Sequence, residues 1–354
     1  MIRDPQGCSR PPHYGPGAIL VLGCCMLLGL LPSAPALAKQ LSFSRDGLTL
    51  NYRWQPPSSA AQGAAQTQEP QSQETQSKDT QSLSLTLPEQ SELRFFSAWR
   101  PDAARRTLYT RLLRSARQQW PEVRFELKRQ DPWSLAIHTP DPTQLAEVQQ
   151  WLASEEKSQF DLLLKENYLI ATSDTLGQAG IKPDHVRIID TSSSELGDVA
   201  EALLQAAGGE QVEPRQLLNY LLAFVQSIPY DRLQSSGGQR GTGYLLPRQV
   251  LENNSGDCDS KVALLASLWR YLKPEIPQVL LFVPDHALLG VALPAQGQDE
   301  TLVAGGYALL LLEPTGPAEL PAGQIGEQSR LYIKTGRYMA EPVQTTVTNS
   351  TPSR

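Results

Sequence analysis

One cysteine, one histidine and one glutamate in the second half of this chain have the types and spacing that acyl-transfer chemistry needs. Cys258 stands in Asn253-Asn254-Ser255-Gly256-Asp257-Cys258-Asp259-Ser260-Lys261, directly before the apolar run Val262 to Leu272. Val262, Leu265, Leu268, Trp269 and Leu272 recur at steps of three and four, which predicts a helix starting near Cys258 with one buried stripe. Ser255 or Asp257 would cap it, and Gly256 permits a tight approach of the backbone. The positive end of a helix stabilises a thiolate, so the expectation is a lowered thiol pKa at Cys258 and a sulfur that attacks carbonyls.

A thiol nucleophile needs a base and a group to orient that base. His286 lies between two apolar runs, Val279 to Val283 and Ala287 to Leu293, which read as strands separated by a short polar break. A third run, Tyr307 to Leu312, ends in Glu313-Pro314-Thr315-Gly316-Pro317, so a carboxylate emerges at a strand end beside a turn. Glu313 is then the candidate to orient His286 in a Cys-His-acid triad. Asp257 and Asp259 are the runner-up acids, badly sited for the far side of an imidazole because they flank the nucleophile. For the oxyanion, the Cys258 amide offers one donor, with Gln226, Tyr244 and Asn254 as candidates for a second.

The order of a cysteine at a helix start, a histidine at a strand start and acid-Pro-Thr after the next strand resembles the transglutaminase-like superfamily of papain-like folds, including its bacterial periplasmic cysteine proteinases. The resemblance runs from about Gln216 to Pro317, with Phe224 to Tyr230 and Tyr244-Leu245-Leu246-Pro247 as lead-in segments. It implies Cys258 as nucleophile, His286 as base and Glu313 as orienting acid. Glu313 departs from the family's more usual Asp and reaches one methylene further.

These residues sit in a chain of 354 residues with four cysteines and a formal net charge of -6. No dense Lys/Arg stripe is present, which argues against a nucleic-acid partner. Residues 1–38 read as a signal peptide: Arg3 and Arg10, an apolar core from Gly17 to Leu31, and a small-x-small site at Ala36-Leu37-Ala38. Membrane attachment is expected only through this segment if it stays uncleaved. Val21-Leu22-Gly23-Cys24 resembles a lipoprotein box but is followed by further apolar residues. Cys8, Cys24 and Cys25 all fall within the signal, so the exported protein, periplasmic or secreted, would keep Cys258 alone. A lone cysteine there is either a reactive thiol or a small buried residue. No cofactor is expected. A metal site at Cys258, Asp259 and His286 has too few soft ligands and no paired spacing.

The elements that must position the site form an α+β chain. Residues 39–54 read as a β-hairpin about Asp46-Gly47, and 55–81 as a disordered Gln/Ser/Thr-rich loop or linker. Residues 82–180 follow the order strand, helix, two strands, helix, strand, the split βαβ order of a ferredoxin-like domain, with helices at Asp102 to Trp120 and Pro142 to Ala153. His138 and His185 read as surface or satisfied histidines. Residues 190–340 form the transglutaminase-like domain. Within it, Gln234 to Gly243 is a candidate lid over the cleft. Residues 341–354 are a disordered tail. The expected function is an exported cysteine hydrolase, a protease or amidase, acting on a peptide or protein amide through a Cys258 thioester. The alternatives are a protein-crosslinking transglutaminase and an inactive binding or assembly module.

Overall fold

The computed structural model describes residues 39–55, 80–93, 99–130, 132–173, 179–233, 243–316 and 320–343. The signal segment, residues 56–79 of the Gln-rich linker and most of the candidate lid fall outside them, whereas Gln55 and Gln81 at the ends of the expected linker are strand residues. The chain is a mixed α and β protein with a curled antiparallel sheet.

The molecule is built around one helix. Numbered by its place in chain order it is α7 (Cys258–Leu272). Every residue from Ser260 to Trp269 is buried. The expectation of a single buried stripe was therefore too narrow: Ala263, Leu264 and Ala266 fill the remaining faces, and a helix apolar all round lies in the middle of a core. Each fully buried Leu or Val contributes roughly 1.5–3 kcal/mol.

One face of α7 packs on a five-stranded sheet, the others on helices. The sheet comprises β8 (Gln278–Val283), β9 (His286–Val291), β10 (Thr301–Ala304), β11 (Tyr307–Leu312) and β12 (Met339–Val343), in the order β10-β11-β9-β8-β12. Each neighbouring pair is antiparallel. Strand β12 reaches Val343, which is buried, so the expected disordered tail starting at 341 is corrected: its first residues complete the sheet.

The N-terminal hairpin, β1 (Lys39–Asp46) and β2 (Thr49–Gln55), is joined by β3 (Gln81–Thr86) in a three-stranded sheet. Assigning residue 82 onward to the middle region was thus wrong for this strand. The alternation of Leu83, Leu85 and Leu87 supplies an apolar face, and β2 offers the matching row Leu50, Tyr52 and Trp54; both rows enter the same core as α7. Trp54 meets Tyr220 and Phe224 edge-on, with ring centroids 5.2 and 5.9 Å apart.

The middle of the chain runs α1 (Pro101–Gln119), β4 (Arg124–Lys128), β5 (Ser134–His138), α2 (Pro142–Glu166), β6 (Leu169–Ser173) and β7 (Ala179–Pro183). Among the described residues β4 pairs with β5 and β6 with β7, as two separate ladders. Helix α2 opens as expected, with Asp141 accepting from Thr143 N at 2.8 Å, but continues past Ala153 to Glu166. Nothing between the two breaks a helix, and buried Leu163 and Leu164 prolong the apolar face. Three further helices precede the site: α3 (His185–Glu195), α4 (Gly197–Ala207) and α5 (Pro214–Ser227). Helix α6 (Pro247–Asn253) then leads into α7, and α8 (Glu327–Lys334) precedes β12. Helices α3, α6 and α8 were not expected; their short periodic runs carry little signal without the partners that bury them. No helix among the described residues is long and apolar enough to cross a membrane.

Candidate active site

Cys258 is the first residue of α7, as its spacing predicts. Asp257 is the cap: its carboxylate accepts from Ser260 N at 3.0 Å and from Ser260 Oγ at 2.5 Å. Ser260 Oγ in turn accepts from Leu245 N at 2.8 Å, which ties the segment before α6 to the helix start. Gly256 is clasped from the other side, its N–H donating to Pro229 O at 3.3 Å and its carbonyl accepting from Asp231 N at 3.1 Å. A Cβ on Gly256 would sit 3.2–3.3 Å from the Val250 and Lys261 side chains, so glycine permits the close approach there. The Cys258 amide, first of the helix, has no intrahelical acceptor and is available to an oxyanion.

The base and the acid arrive through sheet topology. Pro284-Asp285 turns the β8–β9 hairpin, with Asp285 left-handed at φ 58°, and sets His286 opposite Val283. Strands β11 and β9 are antiparallel with Leu312 opposite Leu289, so the end of one lies beside the start of the other. His286 Nε2 and Glu313 Oε1 are 3.0 Å apart as a result. The second oxygen of Glu313 accepts from Gly326 N, the cap of α8, at 2.7 Å. Burial alone would raise the Glu313 pKa, but the bonds from His286, Gly326 and Ser329 outweigh it and hold the carboxyl below its usual value.

The loop carrying Glu313 is itself anchored. Gln226 Nε2 donates to Glu313 O and to Leu320 O, both at 2.9 Å. That use of both amide hydrogens removes Gln226 from the candidate oxyanion donors. Gly316 lies so close that a Cβ there would stand 2.6 Å from Gln226 O. Beneath, fully buried Lys261 donates to Ile228 O at 2.7 Å.

The thiol departs from expectation. Cys258 Sγ donates to Asp259 Oδ1 at 3.2 Å rather than to His286. Burial first, then the charges of Asp259 and Asp257, push its pKa up, not down. The helix-end argument omitted both effects, and burial of the thiol with one carboxylate hydrogen-bonded to it and a second nearby outweighs a helix end worth about 0.3–1 kcal/mol. Asp259 also feels His286 and Lys182, and its own pKa is raised by burial. The structure therefore brings His286 and Glu313 together by hydrogen bond, while Cys258 is bonded to a runner-up acid.

Three residues to which the sequence reading gave no catalytic role have marked surroundings in the structure. Tyr230, 44% exposed, lies within electrostatic reach of Cys258, Asp257 and Asp259 at the open side. Lys182 comes from β7, far outside the segment that carries the motif. His185, expected to be exposed or satisfied, is buried with both ring nitrogens unbonded, its ring 5.1 Å from Tyr244 and 5.0 Å from Phe282. Burial, then Lys182, lower its pKa to about 3, so it stays neutral. Nothing in the sequence around these residues distinguishes them, because their surroundings exist only through packing. His138, by contrast, is an exposed surface histidine beside Glu126. Of the remaining oxyanion candidates, Tyr244 lies within reach of the Asp257 and Asp259 charges, while Asn254 is left-handed at the end of α6.

Among the described residues no group of three or more His, Cys, Asp and Glu side chains is arranged to hold a metal ion. No protein-family model, curated protein or solved structure matches this chain.

Proposed function

We propose that this chain is an exported cysteine hydrolase of the transglutaminase-like, papain-like kind, a protease or amidase acting on a peptide or protein amide. The observation that carries the reading is the Glu313–His286 hydrogen bond of 3.0 Å at the strand ends beside the helix that begins with Cys258. Glu313 occupies Nε2, which leaves Nδ1 as the nitrogen for the thiol proton. In the first half-reaction that proton moves from Cys258 sulfur to Nδ1, and sulfur adds to the carbonyl carbon. The resulting oxyanion is received by the Cys258 N–H. The C–N bond then breaks, the amine leaves with the proton from the imidazolium, and a thioester remains. Water activated by His286 hydrolyses it; an amine in place of water gives crosslinking by the same intermediate.

The middle region keeps the element order α1-β4-β5-α2-β6, which supports the ferredoxin-like reading in order alone. One observation favours a second reading, an envelope binding module with the constellation but no turnover: the thiol is bonded to Asp259 and held protonated. Labelling mature protein with a peptide acyloxymethyl ketone and mapping the adduct separates the two. Modification at Cys258 that is lost in His286→Ala supports the hydrolase; no adduct on folded wild type supports the binding module.

A further inference from the structure

The carboxylate nearest the sulfur belongs neither to the triad nor to the helix cap. Asp259 follows Cys258 directly, so its side chain moves with the thiol, and Sγ donates to its Oδ1 at 3.2 Å. His286 on β9 and Lys182 on β7 lie within electrostatic reach of the same carboxylate. Lys182 is ion-paired to Glu341 on β12 and lies near Asp184. Asp257, the cap of α7, adds a second negative charge, and the Tyr230 and Tyr244 phenols lie within reach of both carboxylates. Glu313 meets the other side of His286 and offsets its charge when it is protonated.

We infer that Asp259 is a positioning residue that latches the nucleophile: it holds the Cys258 proton on sulfur in the resting enzyme, and Lys182 is the counter-charge that draws it off. This inference rests on Cys258 being the nucleophile of the proposed hydrolase. A thiolate 3.2 Å from a carboxylate is a like-charge pair in a largely enclosed site, so sulfur keeps its proton while Asp259 is ionised and facing it. The upward push on the thiol agrees with that arrangement. Attack requires the proton to reach His286, which the latch opposes until Asp259 is neutralised or turned toward Lys182. The cation therefore comes from β7, outside the segment that carries the nucleophile, base and acid, and it couples the middle of the chain to reactivity at Cys258.

The test is the rate of iodoacetamide alkylation of Cys258 against pH in the mature full-length protein. Asp259→Asn keeps the shape and removes the charge. Its midpoint should fall by at least about one pH unit, with alkylation about tenfold faster at pH 8. Lys182→Met should shift the midpoint upward and slow alkylation several-fold. In the double variant the Lys182→Met effect should largely vanish, which a merely structural role for either residue does not produce. Folded Asp259→Asn that reacts at the wild-type rate or slower overturns the latch. Should Asp259→Asn not fold, Lys182→Met decides alone, and an unchanged midpoint there overturns the proposal. Alkylation needs no substrate turnover, so the two readings separate. Shifted midpoints with no hydrolysis in any variant overturn the hydrolase reading, whereas hydrolysis with unshifted midpoints overturns the latch.

Discussion

Replacing Glu313 by Gln tests the proposed acid with almost no change in shape. Glu313 uses both oxygens as acceptors, one toward His286 Nε2 at 3.0 Å and one toward Gly326 N at 2.7 Å. A carboxamide has only one acceptor. If its oxygen stays on Gly326 N, its NH₂ faces Nε2, which then accepts only as the tautomer carrying hydrogen on Nδ1. That nitrogen is the one the thiol proton must reach. In the opposite orientation two donors confront each other at Gly326, leaving an amide unpaired at a cost of about 1–3 kcal/mol. In the first orientation the imidazolium loses a charge-assisted bond worth about 1.5–3 kcal/mol; in the second it keeps an acceptor but loses the carboxylate's charge. At about 1.4 kcal/mol per factor of ten, the acylation rate should fall roughly 10- to 100-fold. His286→Ala should cost more, because it removes the base itself. The assay is the stopped-flow burst of p-nitrophenol from p-nitrophenyl acetate. A Glu313→Gln burst rate within about twofold of wild type would refute the acid's role. The same variant has a stability signature. A carboxyl held below its usual 4.5 contributes stability above that pH and loses it as pH falls through the folded value, so the variant should lack this part of the acid limb.

Three other outcomes follow from the packing. His185 binds a proton near 6.5 unfolded but only near 3 folded, so stability is intact above about pH 6.5 and erodes as pH falls. His185→Leu should therefore flatten the acid limb by about 2–3 kcal/mol at pH 4.5 in urea unfolding, and an unchanged slope would contradict the buried neutral ring. Gly316→Ala, with its methyl 2.6 Å from Gln226 O, should destabilise by about 1–3 kcal/mol and slow the burst, since that contact anchors the Glu313 loop; wild-type melting would exclude the clash. Burial first raises the Asp257 pKa to about 6, so its ionisation costs stability as pH rises through that value. Asp257→Asn, which keeps the cap, should melt higher than wild type at pH 8 and lose that advantage only below about pH 4, whereas Asp257→Ala should lose about 0.5–2 kcal/mol of capping below about pH 4 and less at pH 8, where it too is relieved of the charge.

What sequence alone determined about this protein is what short range dictates. The start of α7 at Cys258, a cap from Ser255 or Asp257, His286 at the head of β9 and Glu313 just past β11 each follow from a few neighbouring residues: apolar spacing, a capping side chain, or a polar break between two apolar runs. The hairpin about Gly47 and helix α1 were legible for the same reason. What only the tertiary structure decided is what depends on partners distant in the chain. Strand β3 joins β2 because Leu83 and Leu85 meet a core supplied by α4, α5 and α7. The acid meets the base because antiparallel β9 and β11 set the end of one beside the start of the other. The charge state of Cys258 went against its local reading. A helix start taken alone favours thiolate, but burial and the Asp259 and Asp257 carboxylates determine the field at the sulfur. A charge's energy depends on distance and on the water removed around it, and neither is written in the residues adjacent to it.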